Sequence, residues 1–287
     1  MLLQDARRGV SYQTVIIWAL LLVVAVQGFL LCSRRPRTPV LPPVKQEEQK
    51  KVLPPPRGDV VGRIAVVLDD WGYNKGHCRQ LEEMPIPVGV AILPNLPYSQ
   101  DVLACSQKAG KEPMLHLPLE PHRVYEKYPE GYYLTTQMSD ADIRSTLERM
   151  LREMPGIVGV NNHTGSKATE DPRVMKVVLG ILKRRKLFFV DSVTTDRSVC
   201  SPVARELRMR ISRRDVFLDN ENSRGAIERQ FASAVRIARK RGNALIIGHD
   251  RALTLQILKE QAEKLSKEGI EFIPVREYIR RYEDPGN

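Results

Sequence analysis

Two adjacent carboxylates, Asp69 and Asp70, follow an apolar run at residues 64–68. The run has the length and composition of a buried strand, and the glycines and asparagine of residues 72–76 predict a turn after it. An aspartate after a strand often caps the next helix, which accounts for one of the two acids. Paired carboxylates at such a place also do acid–base chemistry or bind a metal. The pair is therefore a candidate for the first part of an active site.

Further acids, and three of the five histidines, stand at the ends of other predicted strands. They are His116, Glu120, His163, Asp191, Asp219, His249 and Asp250. In an alternating β/α chain the carboxyl ends of parallel strands meet at one edge, so we expect these side chains to lie together. One carboxylate with two neutral imidazoles is a common ligand set for a divalent metal, and a second carboxylate nearby can act as a base. Taken singly, each residue also has a structural interpretation, with Asp191 and Asp219 as helix N-caps.

Eight short apolar segments alternate with helical patterns from Arg63 onwards. The predicted strands are residues 63–70, 88–93, 112–119, 156–162, 186–192, 215–220, 243–250 and 271–275. Continuous apolar runs of this kind are typical of a parallel sheet covered on both faces. We therefore predict an α/β fold, either a distorted or incomplete (β/α) barrel of about seven to eight strands or a doubly wound sheet. Residues 120–138 break the alternation and predict a loop that contains several tyrosines.

The first 62 residues of the chain have a different composition. Residues 14–32 carry no charge, are about as long as a helix that crosses a bilayer, and precede no A-x-A cleavage site. We predict a membrane anchor at residues 1–33, a Pro-rich linker at 34–62 and a folded domain at 63–282. Arginines flank the apolar segment on both sides, so their charge leaves its orientation open.

The chain is basic, with 45 Lys and Arg against 34 Asp and Glu and a formal net charge of +11. Such a balance is compatible with nucleic acid, an anionic membrane surface or an acidic polymer. The basic residues are scattered over predicted helix faces, as at 182–186 and 236–242, without aromatic residues between them. This distribution favours solvated helix faces, and we predict no nucleic-acid partner.

The four cysteines show no spacing typical of a metal site. Cys32 lies at the edge of the predicted anchor, which leaves an odd number in the folded domain. An odd number cannot pair completely, and we expect these cysteines to be buried free thiols.

Six ordered motifs carry a resemblance to a known family. They are VVLDDWG (66–72), MLHLPLEP (114–121), GVNNHTGS (159–166), FFVDS (188–192), VFLDN (216–220) and IIGHD (246–250). In this order they resemble the divergent polysaccharide deacetylases, relatives of the NodB-homology carbohydrate deacetylases, over roughly residues 62–282. The resemblance implies a distorted (β/α) barrel and metal-dependent hydrolysis of an N-acetyl or related acyl group on a sugar.

The resemblance also implies roles for individual residues. Asp69 corresponds to the general base, Asp70 and His163 to metal ligands, and His249 to the general acid. The better-known deacetylases have a second ligand histidine four residues after the first, where this chain has Lys167. A protonated lysine cannot bind a metal.

His116 is the expected third ligand, since the sequence around it resembles that of the YdjC-type carbohydrate deacetylases. The expected ion is Zn²⁺. An arginine motif that orients the base in the better-known enzymes is missing, and Arg197 and Arg214 are the candidates to replace it.

The remaining expectations concern substrate and location. We predict that Trp71, Glu120, Asn162 and Asp191 contact the substrate, while Tyr132 and Tyr133 either stack on sugar rings or pack in their loop. The predicted function is N-deacetylation of an envelope or secreted polysaccharide. The predicted location is the inner membrane, with one span and the domain on the periplasmic side. The alternative is an inactive glycan-binding or envelope-assembly module on the same fold.

Overall fold

The computed structural model describes residues 59–123 and 133–284. The strands of this part are β1 (Gly62–Trp71), β2 (Gly89–Ile92), β3 (Glu112–Leu119), β4 (Gly159–Thr164), β5 (Phe188–Asp191), β6 (Ile211–Arg213), β7 (Val216–Phe217), β8 (Asn243–His249) and β9 (Ile270–Phe272). The helices are α1 (Cys78–Glu82), α2 (Ser99–Lys108), α3 (Asp140–Glu153), α4 (Pro172–Arg184), α5 (Cys200–Glu206), α6 (Arg224–Arg241), α7 (Ala252–Lys267) and α8 (Val275–Tyr282). A 3₁₀ turn at Ala168–Glu170 precedes α4.

The strands form one parallel sheet in the order β6-β5-β4-β3-β2-β1-β8-β7, and β9 pairs with the first residues of β1. Strands β1 to β6 follow one another in a single direction, without the reversal of a doubly wound sheet. Within the described residues the end strands β6 and β7 do not pair with each other, so the barrel is incomplete. The prediction of an α/β fold with an incomplete parallel barrel is confirmed in this form.

The strand prediction differs from the structure near the C-terminus. Only Val216–Phe217 of the predicted strand 215–220 pairs in the sheet, and β9 ends at Phe272, just before helix α8. Strand β6 was not predicted, because three residues are too few to show an apolar period.

The two faces of the sheet pack against different helices. Ile64, Val66 and Leu68 of β1 lie in a large core that also contains buried residues of helices α1 to α7. Ala65 and Val67 point to the opposite face and lie in a smaller core with residues of helix α8. This alternation follows from the period of two along a strand. Placing seven helices on one face is what same-handed crossovers between parallel strands require.

The predicted anchor, residues 1–33, and most of the predicted linker, 34–62, lie outside the described residues. In the ranges that the structure describes, no helix has the length and apolar character needed to cross a bilayer. This finding contradicts the predicted single-pass location in the inner membrane with a periplasmic domain, and we withdraw that prediction. The bounds 63–282 for the folded domain stay a prediction.

A disulfide joins Cys78, the first residue of α1, to Cys105 in α2. The prediction of free thiols is therefore wrong for these two cysteines, and only the buried Cys200 is free in the described part. An odd number of cysteines rules out complete pairing but not one bridge. Which two cysteines approach depends on how the segment between α1 and α2, which includes β2, folds, and the spacing alone does not contain that information.

We expect loss of this disulfide to lower the free energy of unfolding by about 3 kcal/mol, because the bridge closes a loop of intermediate length. The bonded cysteines are 27 residues apart in sequence. The measurement is urea unfolding of the double variant Cys78→Ser/Cys105→Ser without reductant. Dithiothreitol should lower the unfolding midpoint of the wild type and leave the double variant unchanged. Equal midpoints for wild type and variant would show that the bridge adds no stability.

Candidate active site

Five polar side chains lie at the carboxyl ends of the strands, on the same face of the sheet as the smaller core. They are Asp69, His116, Asn161, His163 and His249. Val67, Met114 and Ile247 of that core lie two residues before an aspartate or histidine of this set, and a step of two keeps a side chain on the same face. The strand register brings the set together, because Asp69 pairs with His249 and His116 pairs with Asn161. One face of the sheet is thus apolar at one end and carries this polar cluster at the other.

Asp70 joins the same cluster through a backbone irregularity. The pairing of β1 with β2 shifts register between Leu68 and Trp71, and Asp70 has a φ of 64°. In a regular strand Asp70 would point to the face opposite Asp69. Left-handed backbone at a non-glycine residue is uncommon and costs of order 1 kcal/mol or more. The irregularity explains how two consecutive carboxylates serve one site.

Three atoms of the cluster are arranged as metal ligands are. Oδ1 of Asp70, Nε2 of His116 and Nδ1 of His163 lie 3.2 Å apart in all three pairs. In a tetrahedral zinc site with bonds of about 2.0–2.1 Å, neighbouring ligand atoms are roughly 3.3 Å apart. One carboxylate with two imidazoles is also a donor set that divalent zinc accepts. These residues therefore fit a bound divalent metal.

The acidic and imidazole groups of this cluster shift each other's pKa toward the charged forms. Burial alone would raise the pKa of the Asp70 carboxyl, but hydrogen bonds from His116 and His163 and their charge hold it well below its usual range. Burial alone would lower the pKa of His116, but the negative charges of Asp69 and Asp70 raise it. Asp70 is therefore ionised at neutral pH, as a metal ligand must be.

Asp69 lies beside the three ligand atoms without being one of them. Its side chain is buried, with 3% of the residue exposed, and its Oδ2 is 3.7 Å from Nε2 of His116. Burial raises the pKa of Asp69, and the charge of His116 partly opposes that effect. A carboxyl with a raised pKa next to a metal site is suited to accept a proton.

Asn161 connects the base and the ligands, and sequence reasoning missed it. Its Nδ2 donates to Oδ1 of Asp69 at 2.7 Å, and its Oδ1 lies 2.9 Å from Nδ1 of His116. Since an amide oxygen can only accept, Nδ1 of His116 carries a proton. When His116 is neutral, Nε2 is therefore the nitrogen whose lone pair a metal would bind. Hydrogen-bond partners of this kind orient metal-binding histidines. The only sequence signal for Asn161 was its position two residues before His163.

His249, at the end of β8, faces the site with Nε2, and its Nδ1 contacts Asp219. Its Nδ1 lies 2.9 Å from Oδ1 of Asp219, and its Nε2 lies 3.5 Å from Oδ2 of Asp70. Asp219 is buried and also accepts hydrogen bonds from the backbone N–H of His249 and from Thr254 Oγ1. Burial alone would lower the pKa of His249, but the hydrogen bond and charge of Asp219 raise it. Asp219 therefore orients an imidazole and does not cap a helix.

A second histidine–carboxylate pair lies at the same edge. Nδ1 of His77, the residue before α1, is 2.6 Å from Oδ1 of Asp250. The backbone N–H of Asp250 in turn donates to the carbonyl of Asp69. Sequence reasoning placed Asp250 at a strand end but left His77 in a loop, because nothing in a loop sequence shows where it folds back.

Three predicted substrate contacts are inside the protein. Trp71 and Asp191 are fully buried and Asn162 is 1% exposed. Asn162 accepts a hydrogen bond from the backbone N–H of Ser192, and Asp191 accepts from Ser198 Oγ. The hydrogen bonds of Asn162 and Asp191 hold the segment after β5, and the burial of all three side chains argues against direct contact with a substrate.

Glu120, the fourth predicted substrate contact, pairs with Lys167. Nζ of Lys167 is 2.7 Å from Oε1 of Glu120, and Thr136 donates to Oε2 through both its N–H and its hydroxyl. The lysine at the position of the missing ligand histidine therefore holds a loop, and both oxygens of Glu120 are already engaged.

The two candidate arginines lie in different surroundings. Arg197 pairs with Glu170 on the surface. Arg214 is partly buried and donates to the carbonyls of Ser192 and Val193, close enough to Asp69 for that charge to act on its pKa. Burial is nevertheless the larger effect and lowers the pKa of Arg214. Of the predicted stacking tyrosines, Tyr132 lies outside the described residues and Tyr133 is partly buried.

Comparisons with known proteins agree with the fold and the motifs. The profile of the divergent polysaccharide deacetylases matches residues 66–279. The chain is 32% identical over 207 residues to the uncharacterized protein YibQ of Escherichia coli K12, covering 72% of this chain and 64% of that one. It is also 32% identical over 206 residues to an uncharacterized protein of Haemophilus influenzae, covering 72% and 73%. The crystal structure of an uncharacterized protein from Agrobacterium tumefaciens C58 superposes with a TM-score of 0.69 at 22% identity, covering 76% of this chain and 89% of that one.

Proposed function

Because the chain belongs to the divergent polysaccharide deacetylase family, we propose that it hydrolyses an N-acetyl or related acyl group of a polysaccharide with a bound divalent metal. The observation that carries the proposal is the set of three ligand atoms, each 3.2 Å from the other two, with Asp69 directly beside it. Asp70, His116 and His163 would hold the metal, with zinc as the proposed ion. When bound, such a metal supplies Lewis-acid polarisation of the carbonyl and lowers the pKa of water.

Asp69 is the proposed general base. Its Oδ1 is occupied by Asn161, so Oδ2, which faces His116, is the oxygen available to take a proton from the attacking water. Asn161 contacts both the carboxylate of Asp69 and the imidazole of His116, which fixes the position of the base relative to one ligand.

His249 is the proposed general acid. With Nδ1 held by Asp219, its Nε2–H points toward Asp70 and is the proton available to the leaving amine. Water adds to the carbonyl carbon, the C–N bond breaks, and the products are a carboxylate and the free amine. Asp69 and His249, which pair in register across β1 and β8, would thus act as base and acid within one site.

Acetate release from N-acetylated glycans tests this proposal. Purified protein is incubated with chitooligosaccharides, peptidoglycan fragments and other acetylated polysaccharides, and acetate is measured enzymatically. We expect release from at least one of them, loss of release after EDTA treatment and recovery on adding Zn²⁺. Release that is unaffected by EDTA would overturn the metal-dependent reaction. A retained metal without any acetate release would favour the glycan-binding module instead.

We expect Asp219→Asn to move the alkaline limb of the pH–rate profile to lower pH. Negative charge at Asp219 stabilises the protonated form of His249, so the pKa of the acid falls when that charge is removed, by roughly one to three units. An acid with a lower pKa loses its proton at lower pH. The enzyme should therefore lose its activity at lower pH as well. Asp69 and Asp70 are the other charged groups that face His249, and both remain in the variant.

The control is Thr254→Val, which removes one hydrogen bond to Asp219 but keeps its charge. Its alkaline limb should move much less. Identical profiles for Asp219→Asn and the wild type would show that His249 is not the group that titrates.

A further inference from the structure

A cavity of about 560 Å³ opens at the edge of the sheet opposite the active site. Val158 and Phe188 in its wall lie at the amino ends of β4 and β5, and Arg210 directly precedes β6. His163, one of the three proposed metal ligands, is near the carboxyl end of β4. At about 3.3 Å per residue, the length of β4 separates the two sites by roughly 20 Å.

The lining of this cavity is strongly basic and contains no acidic residue. Its cations are Lys183, Arg185, Lys186, Arg208, Arg210, Arg276 and Arg280. They come from three separate parts of the chain: the end of α4, the turn before β6, and helix α8. The tertiary fold therefore concentrates positive charge that is dispersed in the sequence. Val158, Phe188 and Ile279 give the cavity an apolar floor.

Most of these cations have no carboxylate to neutralise them. Arg185 pairs with Glu148, and Nζ of Lys183 donates to the carbonyl of Leu207. The other five make no ion pair within residues 59–123 and 133–284. Glu112 is close enough to Arg276 for that charge to oppose the rise that burial causes in the Glu112 pKa, but its oxygens accept the backbone N–H groups of Val275 and Arg276 at the start of α8.

We propose that this cavity, which we call the basic cavity, binds a small organic molecule carrying two or more phosphate groups. Like charges around one cavity repel each other, and a multivalent anion offsets that repulsion. Arginine side chains bind phosphate oxygens in pairs, and five of the seven cations are arginines. Each phosphate brings nearly two charges, so two or three phosphates balance five free cations within a small volume.

The cavity is open to solvent and has room for a small molecule. A volume near 560 Å³ lies within the range of small-molecule sites, about 300–1,000 Å³. The apolar floor offers contact to the organic part of the ligand, while the arginines around it contact the phosphates. This proposal does not depend on the hydrolytic function, because the basic cavity shares no residue with the active site.

Calorimetric titration tests the basic cavity directly. Tripolyphosphate, ATP and fructose 1,6-bisphosphate are titrated at 150 mM NaCl into protein freed of metal on a chelating resin. The cavity variant is Arg210→Ser/Arg280→Ser. The matched control is Arg144→Ser/Arg229→Ser, which removes two exposed arginines outside the cavity that make no ion pair in the described part. Thermal unfolding checks that both variants fold.

We expect at least one probe to bind the wild type with a dissociation constant below 1 mM. Its affinity should fall at least tenfold in the cavity variant and less than twofold in the control. Tighter binding of ATP than of tripolyphosphate would show that the organic part of the ligand contacts the apolar floor. Binding of tripolyphosphate alone, equal losses in both variants, or no binding below 1 mM would overturn the proposal.

Discussion

Replacing His116 with alanine is expected to weaken metal binding by more than about a hundredfold, more than the loss of a partner that only orients a ligand. Nε2 of His116 is 3.2 Å from both Oδ1 of Asp70 and Nδ1 of His163, so its removal leaves two of three protein ligands. Acetate release should disappear with the metal. The measurement is metal content after dialysis, followed by competition with a zinc-binding dye.

Lys167→Ala is the matched control for this experiment. Lys167 stands where the better-known deacetylases have their second ligand histidine, but its amine pairs with Glu120 and not with the ligand set. Metal affinity should therefore stay within about twofold of the wild type, since a protonated amine is not a ligand. Because His116 is fully enclosed, His116→Gln serves as a second variant that fills more of the same space. Metal retained at wild-type affinity in both His116 variants would remove this histidine from the site.

Asp69→Asn is expected to lower the rate of acetate release by about 10²–10⁴-fold while the metal stays bound. The amide keeps an oxygen for the hydrogen bond from Asn161, but it cannot accept a proton. The measurement pairs kcat with metal content on the same preparation. An unchanged kcat would show that another group accepts the proton.

The same substitution should raise the thermal stability of the metal-free protein at pH 7. Burial raises the pKa of Asp69, so the ionised carboxyl is less stable in the folded protein than in the unfolded chain. This cost sets in as the pH rises above the ordinary carboxyl pKa, is complete above the raised pKa, and disappears when the side chain is a neutral amide. Higher stability with lower activity distinguishes loss of a catalytic group from loss of the fold. A lower melting temperature would mean that the ionised form of Asp69 stabilises the structure.

The gathering of Asp69, Asp70, His116, His163 and His249 could be predicted because it depends only on topology. Every parallel strand ends at one edge of the sheet, so residue type and position near the carboxyl end of a strand were sufficient. What sequence could not supply is the local geometry. The irregularity that turns Asp70 beside Asp69 has no apolar pattern of its own.

Residues whose contacts form only in the folded protein were missed for the same reason. Asn161 is one amide within a buried strand, and His77 reaches Asp250 only once its loop has folded back. The basic residues within 182–186 were interpreted as a solvated helix face. Their approach to Arg208, Arg210 and helix α8 depends on how β5, β6 and the C-terminal helix pack.

The hydrogen bond between Asp69 and Asn161 has a consequence for folding kinetics. The two residues are 92 positions apart, and β1 also pairs with β8 from the far end of the domain. Long loops must close before such pairs form, which makes parallel sheets slow to fold. The three ligands and the base come from β1, β3 and β4, so the site forms only once these strands have paired through β2. Metal uptake should follow the pairing of β1 to β4, and a metal that binds only the native state then stabilises that state through mass action.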